Sequence, residues 1–246
     1  MIDNHVHLDL INDSILNIVD RAKKAGVTQF IVPGICGFPK KLEELQKFSE
    51  IKICWGIYPQ FAENEELFEK ELLNLKASNL EIYAIGECGL DKRFPNLEKQ
   101  ASLFRKQLVL ASQMNKPVII HLVGCYQKVF EILKEINPRP EFILHSWSGS
   151  AQMAKEFLKL GGKISLSASI LKSPKKLKEI FTLIPSDKIL FETDSPDQKP
   201  DFVKAEQNDP ANLPKIVDEI LGIKGVREKG IESNRATERR AKRSLG

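Results

Sequence analysis

Short runs of apolar and β-branched residues recur along the chain and alternate with longer segments of helical periodicity. The apolar runs predict eight strands, at 2–8, 28–35, 51–59, 82–90, 116–122, 141–147, 162–169 and 187–194. Between these runs, apolar residues return every three or four positions, which is typical of helices that bury one face. Strict alternation of strand and helix indicates a parallel sheet, because parallel strands need a long crossover connection, usually a helix.

The helical segments follow the strands one after another. They cover 14–26, 39–50, 64–78, 97–115, 126–137, 150–162 and 173–185. An eighth helix is predicted to begin at Asp209-Pro210, since aspartate is a favourable N-cap and proline a favourable first helical residue.

The number of repeats decides between two fold classes. Eight strand–helix units in 246 residues match the size of a (β/α)₈ TIM barrel, predicted here as a single α/β domain over 1–246. A doubly wound open sheet is the competing fold, and it normally carries a signature loop, often glycine-rich, after its first strand. The sequence shows no such loop after residues 2–8. The barrel is therefore the preferred prediction.

Composition narrows the class of protein. A hydrophobic content of 42% is enough for a sizeable core, and a net charge of +4 is compatible with a polyanionic substrate without identifying one. The four cysteines form no CxxC pair and are interpreted as reduced thiols, so a cytoplasmic location is expected. Neither a secretory leader nor a membrane span is expected, because no long apolar run occurs.

All four histidines and two carboxylates fall at the predicted C-terminal ends of strands, where a TIM barrel builds its active site. These residues are His5, His7, Glu87, His121, His145 and Asp194. One histidine beside a strand is more often a satisfied core residue than a ligand. Six polar residues buried at one barrel mouth, however, would be costly without an ion to compensate them.

The two histidines near the start carry the strongest signal. Residues two apart in a strand face the same side, so His5 and His7 can converge on one ion. Six ligands exceed what one tetrahedral ion needs and suit two divalent ions roughly 3.5–4 Å apart. Imidazole-rich ligation favours Zn²⁺, Mn²⁺, Ni²⁺ or Fe²⁺, and Mg²⁺ stays open. Such ions turn water into a nucleophile, which predicts a hydrolase.

These residues lie in motifs that resemble those of the TatD family of metal-dependent deoxyribonucleases, within the amidohydrolase-like TIM barrels. DNHVHLD resembles the family's D-x-H-x-H-L-D, and IGECGLD resembles I-G-E-x-G-L-D. PVIIH, LHSWSGS, ETDSP and NDPANLP are similar to P-V-x-x-H, H-x-F-S-G, E-T-D-x-P and N-E-P-x-x-L. The resemblance covers essentially the whole chain. It implies hydrolysis of DNA phosphodiester bonds by a metal-activated water, with 3′→5′ exonuclease action on single strands as its specific form.

The family pattern also implies a role for each residue. The ligands form two sets that share a bridging Glu87: His5, His7, Glu87 and Asp194 for one ion, and Glu87, His121 and His145 for the other. Asp194 would also accept a proton from the attacking water, so Asp194 and Glu87 are the implied catalytic residues. Glu192, two positions before Asp194, is either a support behind the ligands or a buried salt-bridge partner.

The departures from the pattern surround this metal core. Where the family usually reads G-I-H-P-H, the chain reads GIYPQ, so Tyr58 and Gln60 replace two histidines and are candidate substrate contacts. Lys92 and Arg93 follow GLD where the family commonly has tyrosine, and they are predicted to contact substrate phosphate. The arginine that often follows the strand-5 histidine is missing after His121.

Two alternatives therefore stay open beside the nuclease. One is an ester or amide hydrolase, such as a deacylase, on the same metal core. The other is a non-catalytic, metal-stabilised binding protein. DNA is the expected partner, and no stable protein partner is inferred. The basic run at 237–246 is interpreted as the solvated face of a last helix rather than as a phosphate contact.

Overall fold

The structure is a computed structural model that describes residues 1–64 and 66–223. The basic run at 237–246 lies outside the described residues. The strands are β1 Ile2–Asp3, β2 Gln29–Val32, β3 Cys36–Gly37, β4 Ile51–Ile53, β5 Gly56–Ile57, β6 Ile85–Asp91, β7 Val118–Val123, β8 Phe142–Leu144, β9 Lys163–Leu166 and β10 Ile189–Phe191. The helices are α1 Ile15–Lys24, α2 Leu42–Leu45, α3 Leu67–Ser78, α4 Leu97–Gln113, α5 Tyr126–Glu135, α6 Ala151–Lys159, α7 Pro174–Leu183 and α8 Leu213–Gly222. Among these described elements, none of the helices combines the length and apolar character needed to cross a bilayer.

The chain divides into two compact units. The first unit comprises Met1–Ile31, Ser146–Lys159 and the chain from Lys163 onward, and the second comprises Val32–His145 and Leu160–Gly162. In the first unit β1 pairs with β2, and β9 with β10, all in parallel. In the second unit β7 lies between β6 and β8, again in parallel. The predicted parallel pairing is therefore confirmed, and a single domain over 1–246 stays a prediction.

Helix α1 shows how the sequence pattern produces these elements. Its buried residues are Ile15, Ile18, Val19 and Ala22, which follow the three-and-four spacing of one helix face. The hydroxyl of Ser14 accepts a hydrogen bond from the backbone N–H of Asn17 and so caps the first turn. The first and last residues of α1 lie within two positions of the limits predicted for this helix, 14 and 26.

Strand β6 carries the sequence IGECGLD and is buried along its whole length. Its register on β7 sets Gly89 opposite His121. Gly89 has a φ of +146°, and a Cβ atom at this position would lie 2.0 Å from the carbonyl oxygen of His121. Only glycine therefore lets β6 approach β7 here, beside two of the predicted ligands, Glu87 and His121.

The structure corrects three predicted elements. The strand predicted at 51–59 is divided into β4 and β5, and β5 pairs in an antiparallel sense with β3, which the pattern did not indicate. The helix predicted at 39–50 is reduced to the single turn of α2. The eighth helix begins as predicted at an Asp209 cap, but its first turn, Pro210–Asn212, is a 3₁₀ turn before α8.

The first strand is also shorter than the predicted 2–8, because β1 ends at Asp3. Beyond it, the backbone forms hydrogen bonds to the last residue of β10 and to the residues that follow. The N–H of Asn4 donates to the carbonyl of Phe191 at 3.2 Å, and the N–H of Asp194 donates to the carbonyl of His5 at 3.0 Å. The N–H of His7 then donates to the carbonyl of Ser195 at 2.8 Å. The start of the chain therefore lies alongside the end of β10.

Candidate metal centre

The first unit brings together three of the predicted ligands. His5, His7 and Asp194 each present one ligand atom, and these atoms all lie within 4.8 Å of one another. The two Nε2 atoms are 3.2 Å apart. Asp194 Oδ1 lies 3.4 Å from Nε2 of His5 and 3.9 Å from Nε2 of His7. All three residues are buried. The predicted convergence of the two histidines is therefore present, although both lie beyond the strand.

These distances are those that a metal ion requires. A tetrahedral ion with bonds of 2.0–2.1 Å holds its ligand atoms about 3.3–3.4 Å apart. Two imidazole nitrogens and a carboxylate oxygen are also a common donor set for Zn²⁺ and similar ions. The residues His5, His7 and Asp194 fit a divalent ion in both spacing and chemistry, and we call this set the first triad.

Hydrogen bonds immediately behind the first triad hold the two segments together. Asp3 accepts from the backbone N–H of Thr193 at 2.9 Å and from its hydroxyl at 2.6 Å. Burial raises the pKa of Asp3 to about 8, against the opposing effect of the two hydrogen bonds from Thr193. The side chain of Asn4 donates to the carbonyl of Phe191 at 2.8 Å. Two buried polar side chains thus fix the backbone from which the ligands project.

The second unit assembles the remaining three predicted ligands, which we call the second triad. Glu87 Oε1 lies 2.7 Å from Nδ1 of His121 and 2.9 Å from Nε2 of His145. The two imidazole nitrogens are 3.0 Å apart. Glu87 and His121 lie inside β6 and β7, and His145 directly follows β8. These are hydrogen-bonding distances, so a bound ion requires the three ligand atoms to separate by a few tenths of an ångström.

Two side chains contact the Nε2 atom of His121, the ring nitrogen that does not face Glu87. Its Nε2 lies 3.0 Å from Oδ2 of Asp91 and 3.1 Å from the hydroxyl of Tyr58. The guanidinium of Arg93 donates in turn to both carboxylate oxygens of Asp91. A carboxylate bonded to the far nitrogen of a histidine is the usual support for a metal ligand, because it fixes the ring and its tautomer. The arrangement leaves Nδ1 of His121 to face Glu87.

The charges of this cluster are coupled. Burial lowers the pKa of His121, but hydrogen bonds to Asp91 and Glu87 outweigh it and raise that pKa above its ordinary value. Burial also raises the pKa of Asp91, and hydrogen bonds from His121 and Arg93 outweigh it and hold that pKa below its ordinary value. The second triad and Asp91 therefore favour the protonated form of His121.

This proton makes metal binding depend on pH. Below its raised pKa, His121 is an imidazolium ion and must lose a proton before Nδ1 can bind a cation. We expect the affinity of the metal-free protein for Zn²⁺ to rise with pH by up to about tenfold per unit until His121 is deprotonated. The raised pKa stabilises the metal-free fold at low pH, and this contribution is lost as pH rises through it.

Calorimetry measures this prediction directly. Zn²⁺ is titrated into metal-free protein in two buffers of different ionisation enthalpy, which counts the protons released. Asp91→Asn removes the carboxylate that favours the imidazolium, so its pH dependence should move to lower pH. An affinity independent of pH, without proton release, would contradict the assignment of His121 as a ligand.

The structure also places the other predicted site residues. Tyr58 contacts His121 through its hydroxyl, and Arg93 pairs with Asp91 while its side chain stays 61% exposed. Lys92 follows the last residue of β6, and its exposed side chain lies close to Gly124. Gln60 is exposed in a 3₁₀ turn. The roles of these four residues as substrate contacts stay predictions.

Glu192 is fully buried directly after β10. Its Oε1 accepts a hydrogen bond from the backbone N–H of Ser146 at 2.6 Å. Ser146 follows His145 in the sequence, so Glu192 fixes the chain next to a predicted ligand. This contact supports a role behind the ligands, which stays a prediction.

Several residues that surround the triads are not marked as functional by the sequence motifs alone. Asp91 is the last residue of the IGECGLD motif, and its position four residues after Glu87 in a strand predicts that both carboxylates face the same side. Asp3 stands two residues before His5, and this spacing likewise predicts that the two side chains face the same side of an extended segment. Gln198, whose amide donates to Asp194, follows the ETDSP motif without any spacing rule that marks it.

Two buried clusters of imidazole and carboxylate side chains, placed within or just beyond parallel strands, are the arrangement expected of a metal-dependent hydrolase. Comparison with known proteins agrees with this class. A family model described as TatD related DNase matches residues 2–245. The chain belongs to this family of TatD-related DNases.

Relatives across two domains of life show the same class. An uncharacterized metal-dependent hydrolase of Methanocaldococcus jannaschii is 32% identical, over 91% of this chain and 88% of its own. A protein of Erwinia tasmaniensis named 3′-5′ ssDNA/RNA exonuclease TatD is 30% identical, over 85% of each chain. The protein is accordingly a hydrolytic enzyme that acts on ester bonds and uses divalent metal.

Solved structures establish the fold class. The crystal structure of YJJV, a TatD homolog from Escherichia coli K12, superposes with a TM-score of 0.82 at 26% identity and 96% coverage of both chains. A TatD family hydrolase from Entamoeba histolytica superposes with a TM-score of 0.78 at 19% identity. The fold is the TIM barrel of the amidohydrolases, as the strand count predicted. The competing doubly wound sheet is wrong.

Proposed function

We propose that this enzyme is a nuclease that hydrolyses phosphodiester bonds of single-stranded DNA from the 3′ end. The observation that carries the proposal is the first triad, whose ligand atoms already have the spacing of a metal site. The relative named as a 3′-5′ ssDNA/RNA exonuclease supports the substrate class, because the two chains align over 85% of their lengths. A polyanionic substrate also suits a chain with a net charge of +4.

We propose that each triad holds one divalent ion. His5, His7 and Asp194 are the ligands of the first, and Glu87 with His121 and His145 the ligands of the second. Zn²⁺, Mn²⁺, Ni²⁺ and Fe²⁺ suit these donors best, and Mg²⁺ suits the carboxylates. The bridging of both ions by Glu87 rests on the family resemblance and stays a prediction.

Each carboxylate of the site has its own role in the proposed reaction. When bound, divalent ions supply Lewis-acid chemistry that lowers the pKa of water and stabilises charge on the phosphate. The Oδ1 atom of Asp194 faces His5 and His7. From this position it can orient the attacking water and accept its proton. Glu87, held by two imidazoles, supplies negative charge to the second triad. Asp91 keeps His121 in the orientation that presents Nδ1.

A substrate panel tests this proposal. Single-stranded DNA, duplex DNA, RNA and a simple nitrophenyl ester are offered to metal-free enzyme with Mg²⁺, Mn²⁺ or Zn²⁺ restored. A 5′-labelled strand that shortens step by step from its 3′ end is the expected result. Release of short labelled fragments from the 5′ end would contradict the polarity, and ester hydrolysis without DNA hydrolysis would contradict the nuclease.

One observation favours a second function on the same metal core. Tyr58 stands where the family usually has histidine, and its hydroxyl contacts His121 at 3.1 Å. A neutral phenol replaces a group that can carry positive charge, which makes this part of the site less suited to a phosphodiester anion. An ester or amide hydrolase, such as a deacylase, is the function that this change favours. The non-catalytic alternative is not retained, because the family and its relatives are hydrolytic.

Lys92 and Arg93 provide the second test of the nucleic-acid substrate. Both stand immediately after β6, and their charges would have to compensate for the missing histidines. We expect Lys92→Ala combined with Arg93→Ala to weaken the binding of single-stranded DNA. The slope of log affinity against log salt should flatten by about 1.4, at roughly 0.7 for each lost phosphate contact to a single strand.

The matched control removes the same charge elsewhere. Lys106 and Lys116 pair with Glu69 and Glu81 on the surface, and their double substitution by alanine also removes two positive charges. This control should leave the salt slope close to wild type. An equal slope for both double variants would show that Lys92 and Arg93 do not contact phosphate.

A further inference from the structure

Three side chains of the first unit form a hydrogen-bonded network around Gln198. The amide nitrogen of Gln198 donates to Oδ2 of Asp194 and to the hydroxyl of Ser146, the latter at 2.6 Å. The amide oxygen of Gln198 accepts from the hydroxyl of Ser167. Ser167 also contacts the hydroxyl of Ser169 at 2.9 Å. Both ends of the Gln198 amide are thus fixed by partners of the correct polarity.

The backbone around this network is unusual. Ser146, Asp194 and Gln198 have φ values of +45°, +54° and +47°. Over the described residues, the other non-glycine residues with positive φ are asparagines, which tolerate this conformation. The three that are not asparagine are joined by hydrogen bonds to one amide. Such conformations cost free energy and persist only where the surroundings impose them, and they concentrate at functional sites.

The network gives the two oxygens of Asp194 different tasks. Oδ2 is bound by Gln198, whereas Oδ1 lies 3.4 Å and 3.9 Å from the Nε2 atoms of His5 and His7. The hydrogen bond from Gln198 restrains rotation of the carboxylate, so Oδ1 is the oxygen that faces His5 and His7. The edge that carries Oδ1 therefore keeps a fixed direction towards His5 and His7.

We infer that Gln198 is a positioning residue that holds Asp194 as a one-oxygen ligand and base. The inference rests on the proposed function, since it takes Asp194 as a metal ligand. Gln198 acts through Asp194 and does not touch the substrate. Its removal should therefore alter the affinity and geometry of the metal site and slow turnover, while the KM for DNA stays nearly constant.

The test uses Gln198→Met, which keeps the length of the side chain and removes both hydrogen-bonding groups. Metal-free protein is titrated with Co²⁺, followed by calorimetry and by the visible absorption of the bound ion. We expect a 10–100-fold weaker Kd, the usual effect of removing a partner of a metal ligand, and a changed absorption spectrum. With Mn²⁺ and single-stranded DNA, kcat should fall by about the same factor.

Two further variants keep the result interpretable. Gln127 makes an exposed hydrogen bond to Glu131 at 2.8 Å, so Gln127→Met removes a glutamine–carboxylate contact of the same kind away from both triads. It should behave as wild type. If Gln198→Met does not fold, Ser167→Ala removes the donor to the Gln198 amide oxygen. It should shift Co²⁺ affinity in the same direction by a smaller factor.

The outcomes separate the two proposals. Wild-type Co²⁺ affinity and spectrum in Gln198→Met would overturn the positioning role, and so would a wild-type protein that binds no Co²⁺. A fall in kcat accompanied by an equal rise in KM would also overturn it. Failure of the wild type to hydrolyse DNA while it binds Co²⁺ would overturn the nuclease alone, because the Co²⁺ measurements need no substrate.

Discussion

Asp194→Asn should fold normally, keep at least one metal ion, bind DNA and lose turnover by roughly 10²–10⁴-fold, the usual scale for a positioned general base. The substitution keeps the size of the side chain and can still offer a neutral oxygen to the ion. It removes the group that accepts the proton and one negative charge of the first triad. The loss should therefore appear in kcat at saturating Mn²⁺, and not in the free energy of unfolding.

The control for this variant lies in the same loop. Asp197 is exposed three residues later, and Asp197→Asn removes the same charge without touching the triad. Single-turnover hydrolysis of a labelled single strand, with metal content measured on the same samples, separates chemistry from binding. Near-normal turnover of Asp194→Asn at saturating metal would show that the base is another residue. Glu87 and Glu192 are the next carboxylates to test.

His7→Ala should lower the affinity for metal, and it should lower the catalytic activity only because less metal is bound. Removal of a ligand should weaken the binding of the first ion by roughly 100-fold or more, since even loss of a ligand's supporting partner costs 10–100-fold. Activity at low Mn²⁺ should then nearly vanish. Excess Mn²⁺ or Zn²⁺ should restore part of it, because mass action refills a weakened site. His5→Ala should behave in the same way.

These two histidines differ in one respect that guides the experiment. His5 is fully buried, whereas His7 keeps a small exposed fraction of 7%. His5→Ala therefore also leaves a cavity, and its thermal stability must be measured beside its metal affinity. Dialysis against a chelator followed by stepwise return of Mn²⁺ gives activity as a function of occupancy. Loss of activity that excess metal never restores would assign His7 a role other than ligation.

Much of this molecule could be predicted from the sequence because its chemistry is tied to strand ends. Each predicted strand run overlaps a strand, and the histidines are predicted to lie together because parallel strands end at one edge. His5 and His7 meet for a different reason than alternation within a strand. Strand β1 ends at Asp3, and backbone bonds to the segment after β10 determine where both side chains point.

The contacts of Gln198 could not be predicted from the sequence pattern. Its contacts to Ser146 and Ser167 join positions that are 52 and 31 residues apart, and no local sequence pattern encodes them. The pairing of β3 with β5 was missed for a related reason. Two residues in each strand are too few to produce an alternation of apolar and polar positions.

The hydrogen bonds between the start of the chain and the segment after β10 have a consequence for how the enzyme is made. Asp3 and Thr193 are 190 positions apart in sequence. A ribosome must therefore add 194 of the 246 residues before His5 and His7 can meet Asp194. An ion captured at that moment binds the folded chain and not the unfolded one, so it stabilises the fold by mass action, by about 2.7 kcal/mol at a free concentration of 100 times its Kd. Metal supply would then govern survival of the newly synthesised enzyme as well as its catalysis.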